Sequence, residues 1–436
     1  MSRPLAWRRQ GDRYGPWLFG LLALVPLWVY RDDFRSLFWF GDDWDQLDQI
    51  ARFGFWSWTW QAFAENFVPL FKMAWGGLAL AAHGSYFAMI LAIWLTHALN
   101  VALLGKLLRQ EGFGWTSTAL SLAGFGLSSA CIEILAWSVQ WSAVMSMSFF
   151  LLAALWYGRA PAETSPNQRF LWILAALVAA SALTFSRGVL TGLSLAFSAL
   201  LLAPAARPTV ARAKLAVCCF LPAAGVAGLI FALSSGNQHE LVRGSHLGEM
   251  AQFGAWYFSL NPLYRLLATD SWGSRTTLLL GALRVALMLW VFWRATSRQR
   301  RFLGLLLAFG LGDSVLLGIG RYHTGLECTI SSRYHYNALL CTLPFAGLAV
   351  ESALGSVLAW FTRIRRTVAA VLVAMAALWV CRDWRQYAHD YGDSRGRHTR
   401  DLIFHQARPP DQGAIPGIPF LSTTRARDLT AIYHLH

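Results

Sequence analysis

Long, nearly uncharged apolar blocks constrain this chain more than any other feature. Tyr86 to Leu108, Leu171 to Phe185, Leu215 to Leu233, Thr276 to Trp293 and Phe302 to Gly320 are the clearest of them. Each approaches the roughly 17 to 25 residues that carry a helix across hydrocarbon. Unpaired backbone groups are costly in that solvent, so an apolar block there is expected to be a helix. Further blocks are Trp17 to Tyr30, Phe113 to Trp137, Trp141 to Tyr157, Val189 to Leu202, Tyr334 to Val357 and Val368 to Val380. The pattern predicts an all-α integral membrane protein with about eleven transmembrane helices. Composition agrees, since 14% of the residues are charged against roughly 25% in a soluble domain.

The formal charge of +14 raises the question of nucleic acid, which the placement of the basic residues answers. They fall in alternate connectors: Arg3, Arg8, Arg9, Arg13, Lys106, Arg109, Arg159, Arg169, Arg207, Arg212, Lys214, Arg294, Arg298, Arg300, Arg301, Arg363, Arg365 and Arg366, with only Asp12, Glu111 and Glu163 opposing them. That bias predicts a cytoplasmic N-terminus and, with an odd number of crossings, a C-terminus outside. It leaves no continuous basic face for nucleic acid. No small-residue cleavage site follows Tyr30, so the first apolar segment is expected to be a retained helix and not a signal peptide. The six cysteines show neither a disulfide framework nor zinc spacing. A bacterial inner membrane is the expected setting.

Two regions follow: residues 1–381, a polytopic membrane domain, and 382–436, a polar extracytoplasmic tail with too few apolar residues for a core of its own. On this topology the outer face carries every long loop, 31–85, 234–275 and 321–333 included, and loops on a helical scaffold are where chemistry concentrates. The first loop pairs an acidic turn (Asp42, Asp43, Asp45) with an aromatic stretch from Phe53 to Phe67 that reads as helices lying in the interface. A carboxylate of that turn, Asp42 or Asp43, is suited to take the proton of an attacking hydroxyl. Lys72, Arg321, His323, Arg333, Tyr334 and His335 cluster towards the outer face and suit an anionic phosphate. Taken singly, each is better explained as a headgroup anchor. Arg284 and Asp313 lie at matched depths, roughly 12 to 14 Å below the outer ends of their helices at 1.5 Å per residue, which predicts an ion pair between them. His97, Asn100 and Glu133 are further polar groups inside predicted helices, open to plain interhelical hydrogen bonding.

In order along the chain, these residues resemble the GT-C class of polytopic glycosyltransferases, in particular the protein O-mannosyltransferase-like and tetratricopeptide-linked branch. The matching elements are Asp42 and Asp43 in the first loop, Val68, Pro69 and Leu70, His97 and Asn100, Glu133 and Trp137, and Arg333, Tyr334 and Tyr336. Val68 stands where the family pattern has arginine, and Ser128 and Ser129 where it has His-Pro. The resemblance implies a GT-C-like fold and an inverting transfer from a polyprenyl-phosphate-linked sugar to a hydroxyl-bearing glycan, lipid or protein acceptor. Inversion requires one base, Asp43 or Asp42, and no protein nucleophile. Lys72, Arg321, His323, Arg333 and Tyr334 would hold the donor phosphate, and Asp45, His97, Glu133, Arg243 and His246 would line the substrates. No cofactor is implied with certainty; a divalent metal is compatible with the aspartates, although the dense carboxylate set such an ion prefers is missing. A transporter or flippase of a lipid-linked glycan, a glycan ligase or polymerase, and a membrane scaffold remain as rivals. The first of these predicts an internal repeat, and none is visible.

Overall fold

The computed structural model describes residues 14–63, 66–161, 163–233, 244–266, 274–358, 360–404 and 421–436. Among the described residues the protein is helical throughout, with an isolated β-bridge between Phe63 and Asn66 and no strand. Six helical stretches are long and apolar enough to cross a membrane: Tyr86–Gln110, Ser138–Tyr157, Thr209–Leu233, Ser297–Thr324, Ser332–Val357 and Thr362–Phe404. A seventh is made by Trp115–Gly126 and Ser129–Leu135 if that pair, bent by 42°, crosses as one. Tyr14–Val29, Gln168–Thr184 and Ser186–Leu201 are apolar but shorter.

The elements that position the site are, in chain order, α1 (Tyr14–Val29), α2 (Arg31–Ser36), α3 (Asp42–Phe53), α4 (Phe55–Thr59), α5 (Pro69–Ala81), α6 (Tyr86–Gln110), α7 (Trp115–Gly126), α8 (Ile132–Leu135), α9 (Trp141–Tyr157), α10 (Gln168–Thr184), α11 (Val189–Leu201) and α12 (Thr209–Leu233). After these come α13 (Leu247–Leu260), α14 (Ser274–Arg294), α15 (Ser297–Arg321), α16 (His335–Val357), α17 (Thr362–Cys381), α18 (Trp384–Tyr391), α19 (His398–Phe404) and α20 (Thr423–Tyr433). Their ends follow local chemistry. Asn167 caps α10 by accepting from Phe170 N, Thr296 and Gln299 form a capping box at the start of α15, and Pro69 opens α5 where its missing N–H is harmless.

Small residues set the helix packing. A Cβ added at Gly192 of α11 would lie 2.4 Å from the Cys219 carbonyl of α12, and one at Gly347 of α16 would lie 2.5 Å from the Ser117 carbonyl of α7. Backbones can approach this closely only without a side chain, and such approach replaces the hydrophobic drive that lipid does not supply. Hydroxyls add to it: Ser146, Ser181 and Thr191 join α9, α10 and α11 in one hydrogen-bonded set.

The intramembrane charges pair differently from the sequence expectation. Asp313 of α15 receives Arg187 at 2.8 Å, the Tyr257 hydroxyl at 2.7 Å and weaker contacts from the Asn337 amide. Arg284 of α14 instead donates to the Asn261 carbonyl at 3.0 Å and the Thr342 hydroxyl at 2.6 Å, with its guanidinium over the Phe258 ring. Matched spacing along the helices does not fix which way a helix face points, and the two charges take different partners. Arg187 sits in the short 3-10 turn joining α10 and α11, and from there it reaches Asp313 across the bundle.

The tail is not a separate appendage either. Leu402, Ile403, Leu421, Ala426, Leu429 and Leu435 belong to the same buried cluster as Trp39, Trp44 and Leu47 of the first loop. Its last residues clasp that loop: Tyr86 N donates to the His436 carbonyl, His436 N donates to the Gly84 carbonyl, and Arg425 pairs with Asp48 at 2.7 Å.

Candidate functional site

Gly41 opens α3 with φ 56°, a left-handed value that a side chain would strain. This turn places three aspartates in the first turn of α3, where the helix dipole favours negative charge. Their fates then diverge. Asp43 is fully buried. Its Oδ1 accepts from the Ser138 hydroxyl at 2.5 Å, and its Oδ2 accepts from Phe40 N at 3.1 Å and the Tyr86 hydroxyl at 3.2 Å. Ser138 is fixed in turn by Trp75 Nε1–H, and Ser138 N donates to the Tyr86 oxygen. Among the described residues no cation touches this cage; burial wins over the hydrogen bonds and pushes the Asp43 carboxyl up to about 7. The neighbouring charge of Asp42 adds to the rise. Asp42 itself remains partly exposed.

Asp45 is half-buried, accepts from Gln49 Nε2 at 2.8 Å, and is raised above the ordinary carboxylate range by burial and then by Asp42 and Asp48. Lys72, expected to meet a phosphate, does not present its charge. Its ammonium donates to the carbonyls of Trp58 at 2.9 Å and Gln61 at 3.0 Å beneath the Trp58 ring, and burial lowers it to about 8. It pins α4 in place. That helix buries Trp58 while leaving Trp56 65% exposed and Trp60 beside it 59% exposed, as an element lying in an interface would.

Beside the cage, one carboxylate gathers three segments. Glu133 Oε2 accepts from Arg333 N at 3.1 Å and from the Ser331 hydroxyl at 3.3 Å, and Oε1 stands 3.6 Å from Arg395 Nη2. The Arg395 guanidinium lies over Tyr391, Phe40 and Trp137 at 4.4, 4.8 and 5.3 Å. Trp137 Nε1 also donates to the Phe40 carbonyl, which ties this cluster to the turn that carries Asp42 and Asp43. Sequence reasoning singled out Glu133 and Arg333 separately and missed Arg395. Its one local signal is the Gly392 and Gly396 pair around it: a Cβ at Gly396 would lie 2.0 Å from the Ser36 carbonyl of α2, so the six-residue π-helical turn Gly392–Arg397 docks directly on the first loop.

The remaining expected residues fall into two other places. Tyr334 is buried beside Tyr257, with Arg187 5.6 Å from its ring, so it stands above the Asp313 pair. The His246 ring stacks on Tyr322 at 5.2 Å, with His323 edge-on to the same tyrosine; Arg321 ends α15 beside them, forming a rim. His97 is fully buried inside α6, bonded to the Tyr336 hydroxyl and the Gly126 carbonyl, and Asn100 bonds the same hydroxyl. These are helix-joining contacts away from the loops. Arg243 lies outside the described residues.

Among the described residues no three His, Cys, Asp or Glu side chains are arranged to hold a metal ion. Asp43 is occupied by three protein donors and Glu133 faces the Arg395 guanidinium, so the donor set does not fit a divalent cation. No family model and no curated protein matches the chain.

Proposed function

We propose that this chain is a membrane glycosyltransferase that moves a sugar from a polyprenyl-phosphate donor to an acceptor hydroxyl, with inversion. The observation that carries the reading is that Glu133 accepts from Arg333 N while Trp137, four residues further on, donates to the Phe40 carbonyl in the turn that carries Asp42. Those same residues carry the GT-C resemblance. In this reading Asp42 is the base, because Asp43 is enclosed and holds the turn from behind. The acceptor oxygen forms the new bond to the anomeric carbon and its proton passes to Asp42. The carbon–phosphate oxygen bond breaks, and its electron pair leaves with the lipid phosphate, whose growing charge Arg333 meets. No acid is needed, since phosphate is a stable leaving group.

The reading includes eleven crossings, reached when the bent pair, the three shorter apolar helices and α14 each cross. It also places the loop-rich face and the C-terminus outside a bacterial inner membrane. Flippase activity is the second reading, favoured by the buried Arg187–Asp313 pair at a helix break, where transporters commonly hold charge.

The test is transfer by the purified protein in nanodiscs, supplied with a panel of polyprenyl-phosphate sugars and the membrane lipid and glycan fractions as acceptors. Asp42→Asn is expected to remove turnover with an unchanged melting temperature. Full turnover in that variant would rule out Asp42 as the base, and vesicle translocation of donor without transfer would favour the flippase.

A further inference from the structure

The connectors α9–α10 and α11–α12 meet at one end of the bundle, and an arginine in that seam is buried without a counter-ion. Arg207 is 6% exposed. Its Nη2 donates to the Ala160 carbonyl of the facing connector at 3.0 Å, and its guanidinium stands 5.8 Å from the Tyr157 ring. Nε and Nη1 are buried with no acceptor. Arg212 fixes the backbone around it, donating to the Arg207 carbonyl from Nε and to the Pro204 carbonyl from Nη2, both at 3.0 Å. Among the described residues no carboxylate pairs with Arg207, and Glu163, the one acid of these two connectors, is exposed. A buried charge left uncompensated is costly, and so is each buried donor left unmade. The bias of basic residues towards one side accounts for arginines exposed to headgroups; it does not account for one held under the surface with open donors.

The surroundings indicate which anion would fit. Ala206 and Pro208, on either side of Arg207, are exposed and short, so the guanidinium lies just beneath the surface. Arg159, next to Ala160, is exposed, with its guanidinium over the Trp156 ring at 5.7 Å. On α12, Val210, Lys214, Val217 and Leu221 recur at i, i+4, i+7 and i+11, which puts them on one helix face, and all four are exposed. That face sets a cation near the connectors and apolar surface beyond it, matching a phospholipid's phosphate and acyl chains. The seam also lies away from the Asp43 cage: α9 runs 17 residues from Trp141, close to Ser138, to Tyr157, or ~25 Å.

We propose that the Arg207 seam binds the phosphate of one anionic phospholipid from the leaflet that meets the basic connectors, with its acyl chains along the Val217 and Leu221 face of α12. Arg207 supplies the forked donors and Arg159 the outer charge. A net negative headgroup is selected over a zwitterionic one, because the seam offers no paired carboxylate to receive an ammonium group. The lipid bridges the α9–α10 and α11–α12 connectors, so its binding stabilises the folded protein. The site is independent of the transferase reading and uses none of its residues.

Native mass spectrometry of the full-length protein, released from nanodiscs that mix phosphatidylglycerol with phosphatidylcholine, tests this. One phosphatidylglycerol is expected to be retained in preference to phosphatidylcholine, and Arg207→Gln to lower that preference about fivefold. Arg363→Gln, at an exposed arginine in the first turn of α17, is expected to leave it unchanged. Equal retention of the two lipids by the wild type, or an unchanged preference in Arg207→Gln, would overturn the proposal. An equal loss in Arg363→Gln would do so too, because it would mean that positive charge anywhere on that face attracts the lipid. If Arg207→Gln does not fold, Arg159→Gln changes an exposed side chain and is expected to lower the preference about threefold; wild-type preference there overturns the site equally. Displacement of the retained lipid by excess inorganic phosphate would assign the seam to the free ion and overturn the phospholipid.

Discussion

Two buried aspartates, Asp313 and Asp43, are stabilised in opposite ways. Asp313, within the helix bundle, is met by a full positive charge from Arg187 and by the Tyr257 hydroxyl. Asp43, in the first loop, is met by two hydroxyls and a backbone N–H, with no cation in contact. In the bundle, where lipid offers no polar partner, a buried charge needs a protein partner, and for Asp313 that partner is an opposite charge. In the loop region a carboxyl can instead hold its proton near neutral pH, and it serves as a hydrogen-bonding hub for the turn that presents Asp42. The difference separates a charge that locks helices from a carboxyl that orients a site.

The largest effect that tests this contrast is expected from breaking the bundle pair. Arg187→Ala leaves a buried carboxylate uncompensated and should lower stability by about 3 to 5 kcal/mol, read as a large drop in melting temperature. Combining Arg187→Gln with Asp313→Asn should recover at least half of that loss; no recovery would mean that the two side chains act independently.

Next comes the cage. Asp43→Ala strands the Ser138 and Tyr86 hydroxyls and Phe40 N, at about 1 to 3 kcal/mol for each unsatisfied group, moderated by the freedom of Ser138 and Tyr86 to rotate. About 2 to 3 kcal/mol in total is expected, with Asp43→Asn costing about 1 kcal/mol because the amide keeps an acceptor. Equal melting temperatures for Asp43→Ala and wild type would remove Asp43 from the framework.

Titration sharpens the contrast. Since burial raises the Asp43 carboxyl from 3.8 to about 7, the folded protein binds more protons than the unfolded chain between those values. Its contribution is therefore fully present below pH 4 and is lost as pH rises through 7, with a slope of at most ~1.4 kcal/mol per pH unit. Asp43→Asn should flatten this slope, and an unchanged melting profile from pH 4 to 8 would show that Asp43 is ionised throughout. The smallest effect expected is at the clasp: Arg425→Ala breaks a partly exposed pair with Asp48 and should cost about 1 kcal/mol or less, measured as faster proteolysis of the C-terminal segment.

How much of the site could be read in advance follows from the range of each signal. The acidic turn is local, so Asp42 and Asp43 stand out by spacing alone, whereas the meeting of Glu133 with Arg333 N joins segments 200 residues apart. Lys72 could not be read correctly, because the carbonyls that consume its ammonium belong to a turn 11 to 14 residues upstream. Arg395 was invisible for a similar reason: a tail of low hydropathy gives no periodic sign that it docks on a loop some 360 residues earlier.

The sequence by itself determined the solvent of this protein and its all-α class. Apolar block length and the alternation of basic connectors are additive properties of short windows, so no contact map is needed to read them. Only the tertiary structure decided the partners: Asp313 with Arg187 and not Arg284, Asp43 caged and Asp42 left in reach, the tail joined to the first loop. Pairing depends on the direction a side chain faces around its helix and on where broken helices turn, and those are fixed by packing among all the helices at once.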